Sequence, residues 1–476
     1  MDGCPSRRTI PASGGDPGTK RMPFAEQQQP AGSALSTKRA ATYTARPQIP
    51  AGSPVTATVG NGARKAALAF IFVTVLIDIL AFGLIIPVLP HLVQEFVGGD
   101  TVSAAYWVGI FGVLFAAIQF VCAPIQGALS DRFGRRPVIL LSCLGLGVDF
   151  IFMAVAQSLP WLLVGRVVSA MLSASFTTAN AYIADVTEPA KRAQAFGMIG
   201  AAFGLGFIVG PVIGGELGGI DIRLPFWFAA GLALLNFAYG LFVLPESHPK
   251  ERRSARFDWA HANPLGSLRL LRSYRGIWGL ATVAFLLNLA HYVYPSVFVL
   301  FADYAFGWDS RAVGRVLGVV GIFSVVVNVF VVKRAVGALG ERRTLMLGLA
   351  CGVVGFTIYG FAPSGLVFLM GLPVMALWAL AMPSVQSLVT RAVDPREQGR
   401  IQGALTSLAS FAGILGPGVY TTVFAWFIGR QAPAHLPGAP FLLAGLLLAA
   451  AGLVAWRYTR GHARLPAAMP ESVPAD

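Results

Sequence analysis

Three ionisable side chains lie deep inside long apolar stretches of the sequence, where a charge is expensive and usually functional. Asp78 lies in the middle of one stretch, and Asp149 and Arg166 lie in two consecutive stretches. A carboxyl group in such surroundings can bind and release a proton, because loss of hydration favours its neutral form. A guanidinium keeps its charge and can pair with a carboxylate. These residue types suit proton binding inside a membrane.

The three residues differ in their expected partners. Asp78 is the first choice of proton carrier, because its own stretch holds no opposite charge. Asp149 and Arg166 lie at comparable depths on antiparallel neighbours, so they can form a buried ion pair. For Asp149, a pair that only fixes two helices and a proton-carrying role both remain open.

Long apolar stretches dominate the chain from Arg64 onward. Of its 476 residues 55% are hydrophobic and only 12% are charged, which is too apolar for an ordinary soluble protein. Each stretch has about 20 residues, the length of a membrane-spanning helix, and lacks the alternation of a barrel strand. We predict an all-α integral membrane protein with twelve transmembrane helices at 66–90, 104–127, 136–156, 160–182, 194–215, 224–244, 277–301, 312–333, 344–362, 365–390, 401–428 and 438–457.

The second half of this region repeats the first. A single shift of 206 residues superimposes glycines, prolines and an arginine: Gly134 on Gly340, Arg136 on Arg342, Gly165 on Gly371, Pro189 on Pro395, Gly197 on Gly403, Gly210 on Gly416 and Pro211 on Pro417. We therefore predict two parallel six-helix repeats. The predicted organisation is an N-terminal tail at 1–62, bundles at 63–244 and 277–458, a linker at 245–276 and a C-terminal tail at 459–476.

Most positive charges between the predicted helices lie on one side, in short loops and in the long connection from Lys250 to Arg275, and only Arg223, Arg311, Arg315 and Arg430 lie opposite them. This pattern predicts that these loops and both termini are cytoplasmic, and it explains the net charge of +14 without a nucleic-acid partner. The four cysteines show no paired spacing, so neither a disulfide nor a metal site is expected. Residues 1–62 are too polar to fold alone. A regulatory tail and a wrongly chosen start codon are both open for them.

One cytoplasmic loop combines glycines, an acid and arginines in a particular order. Its residues are Gly127, Asp131, Arg132, Gly134, Arg135 and Arg136. The glycines allow a tight turn and close helix approach, and Asp131 can bind helix-end donors and basic partners. The order resembles the signature loop of the major facilitator superfamily. The resemblance implies that Asp131 is a conformational latch; in the second copy Gly337 replaces this acid.

Predicted helix 5 carries glycines four residues apart around a proline. These residues are Gly206, Gly210, Pro211 and Gly214. Such spacing leaves one face without side chains and lets another helix approach, while the proline bends the helix. The segment resembles the antiporter sequence of the same superfamily, which implies a bend that prevents uncoupled leakage. A plain packing motif remains the alternative.

Polar side chains occur within several of the apolar helices, and this pattern predicts a water-filled cavity between the helices. Each of them could equally bond only a neighbouring helix. The candidate cavity residues are Gln119, Ser173, Thr177, Asn180, Asn288, His291, Tyr292, Trp378, Gln386 and Gln402.

Several segments resemble the tetracycline:proton antiporters. They lie at 76–90, 147–150, 165–166, 181–187 and 306–308, within a resemblance that spans residues 66 to about 430. It implies that Asp78, Asp149 and Arg166 occupy positions important for transport. Two positions depart from that family: Ser324 stands where a histidine can occur in helix 8, and Gly352 replaces the acid of helix 9.

The expected function is therefore proton-coupled export of a small amphipathic or drug-like compound across the cytoplasmic membrane, with tetracyclines as one option. The chain is expected to act as a monomer in the lipid bilayer, without a cofactor or nucleic acid. It is not expected to be an enzyme, since it has no nucleotide-binding loop. An uptake symporter or facilitator for a polar metabolite is the alternative. A receptor that only keeps the fold is disfavoured by the buried charges.

Overall fold

The computed structural model describes residues 61–172, 175–188, 191–249, 251, 253, 277–393, 397–432 and 434–461. The predicted N-terminal tail up to residue 60, most of the predicted linker and the predicted C-terminal tail beyond Gly461 lie outside these ranges, while residues 61 and 62 of the predicted tail belong to the first helix. All regular elements within them are helical.

The described residues of the first half form eight helices. Their bounds are α1 Asn61–Ile85, α2 Leu89–Phe96, α3 Thr101–Phe133, α4 Arg135–Val155, α5 Leu159–Leu172, α6 Ser175–Val186, α7 Arg192–Gly218 and α8 Leu224–Val243. The second half contains nine α-helices and two short irregular turns. Their bounds are α9 Trp278–His291, α10 Val293–Phe306, α11 Ser310–Val326, a π-turn Val327–Val331, α12 Val332–Gly360, α13 Gly365–Met370, α14 Leu372–Ala376, a 3-10 turn Leu377–Leu380, α15 Ala381–Arg391, α16 Gln398–Ile428 and α17 Ala439–Gly461.

Ten helical stretches of the described chain are long and apolar enough to cross a membrane. One of them, Ser310–Gly360, has 51 residues and is interrupted at Gly340, where φ is 75° and ψ is 160°. A straight helix of that length would measure about 75 Å, more than twice the hydrocarbon thickness. The region predicted as one helix at 160–182 is described as the shorter α5 followed by α6.

Prolines break two helices that we predicted to be continuous. Predicted helix 7 is divided after His291, because Pro295 has no N–H to donate to the carbonyl four residues earlier. Predicted helix 10 is divided after Met370 and tightens at Leu377–Leu380, in the turns preceding Pro373 and Pro383. The apolar pattern gave the length of these spans, and the prolines decided their continuity.

Two helix starts are capped by acids. Asp100 accepts hydrogen bonds from the backbone N–H groups of Val102 and Ser103 at the start of α3. Asp309 accepts one from Ala312 at the start of α11, at 2.9 Å. Bonds from the side chain and backbone of Ser103 hold the pKa of the Asp100 carboxyl below its ordinary value.

Helices pack mainly within each half. In the first half α1 lies against α7 and α8, and α4 lies against α8 and α5. In the second half α17 lies against α12 and α9, and α9 also contacts α16. The halves are joined mainly by α3 with α16 and by α7 with α11, and α10 adds smaller contacts with α3 and α2.

Candidate functional site

Asp78 lies in a buried pocket between α1, α4 and α8. Its side chain is only 8% exposed, and its Oδ1 accepts a hydrogen bond of 3.0 Å from Nδ2 of Asn236 on α8. The same amide nitrogen lies 3.2 Å from the Thr74 carbonyl and 3.7 Å from the Cys143 sulfur. The carboxyl group of Asp78 is therefore held by a neutral amide.

Asn236 is a residue that our sequence analysis missed. It is 1% exposed, and within the described chain its Oδ1 has no hydrogen-bond partner. An amide can donate to a carboxylate or, after turning over, accept the proton of a neutral acid. Asn236 thus suits both protonation states of Asp78. The signal was available, since an asparagine within the apolar run 224–244 is costly unless it is bonded.

We expect Asn236→Leu to lower the free energy of unfolding by about 1–3 kcal/mol, because Asp78 loses a buried donor. In an Asp78→Asn background the same change should cost less, because the partner is no longer a carboxylate. Thermal unfolding in detergent of the unmodified protein, the two single variants and the double variant measures this coupling. Asn328→Leu is the control, because Asn328 donates only to Ser324 of its own turn. If the effects of the Asn236→Leu and Asp78→Asn substitutions were strictly additive, the assigned hydrogen bond between the two side chains would be contradicted.

Asp149 and Arg166 interact electrostatically, although no direct salt bridge joins them in the described part of the chain. Asp149 is 1% exposed, and the polar side chains that act on its carboxyl group are those of Ser169 and Arg166. It packs on Gly165, where a Cβ would lie 3.0 Å from its Oδ1. The Arg166 guanidinium lies over the Phe115 ring of α3, 4.3 Å from the ring centroid. The guanidinium thus contacts the Phe115 ring while it still attracts the Asp149 carboxyl group.

The side chains of the signature loop contact residues of the first half and of the segment that follows it. Gly134 has φ of 106° at the junction of α3 and α4, which favours glycine. Arg135 follows it and lies 2.6 Å from Asp131 and 3.2 Å from Asp185 at the end of α6. The backbone N–H of Arg135 donates to Glu246, at 2.9 Å. Asp131 thus contacts a residue only four positions further along the chain, across the junction of the two helices.

The other loop residues have simpler surroundings. Arg136 donates to the Leu241 carbonyl at the end of α8, at 2.6 Å. The Arg132 guanidinium lies 5.3 Å from the centroid of the Phe133 ring. A Cβ at Gly127 would meet nothing within 4 Å, so the close helix approach expected at that glycine is not formed.

The second copy of the loop carries an ion pair of reversed polarity. Glu341 lies 2.9 Å from Arg391. The shift of 206 residues relates Glu341 to Arg135 and Arg391 to Asp185. An acid and a base have therefore exchanged places in an otherwise equivalent contact. Our sequence analysis compared only Gly337 with Asp131 and missed this pair.

The glycines of α7 form the contact with α1. A Cβ at Gly206 would lie 2.7 Å from a methyl carbon of Ile79, and one at Gly210 would lie 2.9 Å from the Leu80 carbonyl oxygen. A Cβ at Gly214 would overlap the backbone of Leu84. Pro211 lies inside α7, and a Cβ at Gly83 would come within 3.1 Å of its ring. This stripe sets the position of the helix that carries Asp78.

His291 and Trp378 come together on the second half. Their ring centroids are 5.8 Å apart, and His291 is also 6.1 Å from Tyr294. His291 is exposed, where it ends α9. The Gln386 amide donates to the Gln402 carbonyl group and so joins α15 to α16.

The remaining candidate cavity residues differ in whether their surroundings favour a cavity or only helix packing. Gln119 and Asn180 are half-buried on α3 and α6. Asn288 donates to the Ala284 carbonyl of its own helix, and Tyr292 packs against the glycines of α16, where a Cβ at Gly413 would lie 2.6 Å from its hydroxyl. These last two favour helix packing. Ser173 lies outside the described residues, as does the side chain of Thr177.

The two positions that depart from the tetracycline exporters have different surroundings. Ser324 is exposed and accepts a hydrogen bond from Asn328. Gly352 is buried against Trp378, whose Cδ1 would lie 2.9 Å from a Cβ there. The indole thus fills the space of the missing acid. Within the described chain, no three His, Cys, Asp or Glu side chains cluster closely enough to hold a metal ion.

Polar contacts join the two halves at the end of the helices near Asp100. They link His91 to Ser310 at 3.0 Å, Gln94 to Asp303 at 3.2 Å and Glu216 to Arg315 at 2.7 Å. At this same end, a Cβ at Gly215 would overlap the backbone of α11. The halves are therefore closed together at this end.

Comparisons with known proteins agree with this arrangement. The family model of the Major Facilitator Superfamily matches residues 71–417 and 304–472. The chain is 39% identical over 362 residues to the class C tetracycline resistance protein of Escherichia coli, covering 75% of this chain and 90% of that protein. It is 36% identical to the class G tetracycline resistance protein of Vibrio anguillarum, over 73% of this chain and 88% of that one.

A solved structure gives a similar result. The human organic anion transporter MFSD10 (TETRAN) superimposes with a TM-score of 0.61 at 25% identity, over 82% of this chain and 99% of that one. The relatives and the fold indicate a membrane transporter and not an enzyme. This chain belongs to the major facilitator superfamily, and within it resembles the tetracycline resistance proteins.

Proposed function

We propose that the chain has twelve transmembrane helices in two parallel six-helix repeats. The interruption at Gly340 divides the 51-residue stretch into two spans, and α5 with α6 forms a further span. Gly340 and Gly134 share a positive φ and the same ψ of 160°, and they are 206 residues apart. The ion pairs of Arg135 and Glu341 support the same relation. An even number of spans puts both termini on the same side of the membrane, and the positively charged loops support the cytoplasmic side.

The reversed polarity of the Arg135–Asp185 and Glu341–Arg391 ion pairs provides a test of the equivalence of the two repeats. We expect Arg391→Glu to destabilise the second half, because Glu341 would face a second acid. Adding Glu341→Arg should restore stability, because the double variant then has the polarity of the first half. Pairs of this exposure contribute about 0.2–1 kcal/mol, so the melting temperature should fall and recover by a few degrees at low salt. A double variant no more stable than Arg391→Glu would contradict the equivalence.

We further propose that the protein exports a small amphipathic compound in exchange for protons across the cytoplasmic membrane. The observation that carries this proposal is the buried carboxyl group of Asp78, held by Asn236 in a chain similar to tetracycline resistance proteins. Asp78, Asp149 and Arg166 form the proton-coupling group of this proposal. Lipid, protons and the transported compound are its partners, and the chain acts as a monomer.

Alternating access provides the mechanism. The halves are closed at the Asp100 end, which is the outer end in the proposed orientation, so the compound enters from the cytoplasm. The halves then rock, the contacts of His91 and Glu216 open, and Asp131 leaves Arg135 to contact the second half. Protonation of Asp78 from outside favours the return. Close packing of Gly210 and Pro211 on α1 keeps the transport pathway closed to uncoupled leakage during this cycle.

Everted membrane vesicles test the direction and the coupling. We expect addition of a transported compound to make the lumen of acid-loaded vesicles more alkaline, because protons leave as the compound enters. A panel should include tetracycline and, because MFSD10 (TETRAN) is an organic anion transporter, several organic anions. Acidification of the lumen would show symport, and movement of the compound without protons would show a facilitator. Either result would replace the export proposal by its alternative.

A further inference from the structure

An apolar groove of about 480 Å³ lies between α12 and α17 on the surface of the second half. Both helices belong to stretches that are long and apolar enough to cross a membrane, so the groove lies at the depth of the lipid. It extends from Val354 and Leu448 at one end to Met346 and Trp456 at the other, and every residue that lines it is apolar. The side chain of Leu453 at its edge is 66% exposed.

The groove forms because the two helices separate towards one end. At the other end they are in close contact, since a Cβ at Gly438 would overlap the Gly360 backbone. Further along, a Cβ at Gly445 would lie 3.4 Å from the Cβ of Phe356, which is ordinary van der Waals contact. Gly452 lines the groove, and a Cβ there would meet nothing within 4 Å. The space between α12 and α17 therefore widens from Gly438 to Gly452.

Arginines lie at the wide end of the groove, which is the cytoplasmic end in the proposed orientation. Arg342 and Arg343 precede Met346 by one helical turn, so they lie on the face of α12 that lines the groove. Arg457 directly follows Trp456 on α17. Arg343 and Arg457 are exposed, and no salt bridge of the described chain uses either of them. This end thus combines an apolar wall, an indole and positive charge, as at the border of lipid and water.

We propose that the groove binds an anionic phospholipid of the cytoplasmic leaflet, with an acyl chain between α12 and α17 and the phosphate on Arg343 and Arg457. A guanidinium and a phosphate match in charge and in geometry. Basic residues next to membrane-spanning helices attract anionic head groups. Only the choice of leaflet rests on the proposed orientation, and the site does not depend on which compound is transported.

A second copy of the chain is disfavoured as the occupant of the groove. In a closed dimer the same surface of both copies meets across a two-fold axis. Two copies inserted in the same direction would place their wide groove ends at the same depth, so the arginines of one copy would face those of the other. Like charges repel each other. A phospholipid instead brings an acyl chain and an opposite charge in one molecule.

Native mass spectrometry of the purified, delipidated full-length protein tests this site. Palmitoyl-oleoyl phosphatidylglycerol and palmitoyl-oleoyl phosphatidylcholine have the same chains, so they separate the head group from the acyl part. We expect the phosphatidylglycerol to bind more tightly. Arg343→Gln combined with Arg457→Gln should weaken its binding about 25-fold, since each basic residue near an anionic head group contributes about 5-fold. Lys333→Gln combined with Arg334→Gln is the control, because it removes two exposed charges outside the groove lining.

Filling the groove tests the acyl-chain part of the site. Gly452→Leu would extend a side chain into the groove without a clash at its Cβ, so we expect the bound lipid to be lost. Gly231→Leu on α8 is the control, because a Cβ there also meets nothing within 4 Å and Gly231 is outside the groove. Phosphatidylglycerol should also raise the melting temperature of the unmodified protein, and this shift should disappear in the double arginine variant.

Equal binding of the two lipids by the unmodified protein would overturn the proposal, whether or not any variant folds. Unchanged phosphatidylglycerol binding in the double arginine variant or in Gly452→Leu would also overturn it. Displacement of the lipid by glycerol phosphate at equal concentration would assign the site to a free phosphate, and a dimer that Gly452→Leu abolishes would assign the groove to a second copy. The measurement needs neither a transported compound nor a proton gradient, so its failure leaves the proposed export untouched.

Discussion

Asp78→Asn is expected to abolish proton-coupled export while the protein remains folded. Asparagine has nearly the same volume as aspartate but cannot exchange a proton, so the packing between α1, α4 and α8 is kept. Each proton that moves across 100 mV supplies about 2.3 kcal/mol, so loss of one proton removes a roughly 50-fold concentration ratio. Accumulation of the compound in energised everted vesicles, with lumenal pH recorded in parallel, measures this loss.

Asp221→Asn is the control for this measurement. Asp221 is exposed in the turn before α8, where it accepts a hydrogen bond from the backbone of Arg223. Its replacement should leave accumulation and proton movement unchanged. Normal coupled export by the Asp78→Asn protein would remove Asp78 from the coupling group and make Asp149 the next acid to test.

The second large effect is expected at the contact between α1 and α7. Gly214→Ala should lower the free energy of unfolding by about 1–3 kcal/mol, the usual range for overpacking. The added methyl group would overlap the Leu84 backbone, which cannot move aside as a flexible side chain can. Because α1 carries Asp78, coupled transport should fall together with stability. Thermal unfolding in detergent and vesicle transport measure the two effects.

A glycine of the same helix provides the comparison. Gly197 also lies in α7, but a Cβ there would meet nothing within 4 Å. Gly197→Ala should therefore raise stability by about 0.5–1 kcal/mol, since alanine restricts the unfolded chain more than glycine does. If both substitutions have the same effect, close packing of Gly214 on α1 is not what stabilises this contact.

The sequence by itself determined the class of the protein and the places where chemistry is possible. Long apolar runs require helices in lipid, because only a helix satisfies its backbone within one segment. The rarity of charge inside those runs singled out Asp78, Asp149 and Arg166. The 206-residue shift matched Gly134 with Gly340, and both have a positive φ in the structure. These properties depend on local composition and spacing, which a sequence displays directly.

Only the tertiary structure decided which side chains meet. Depth along neighbouring helices suggested that Asp149 and Arg166 interact, but the contact of the Arg166 guanidinium with the Phe115 ring of α3 was visible only in the structure. Asp78 had no visible partner, because Asn236 lies 158 residues away on α8. Gly352 showed only the absence of an acid, and the position of Trp378 showed what fills the space. Such contacts depend on helix rotation and on the approach of distant segments, which apolar periodicity does not specify.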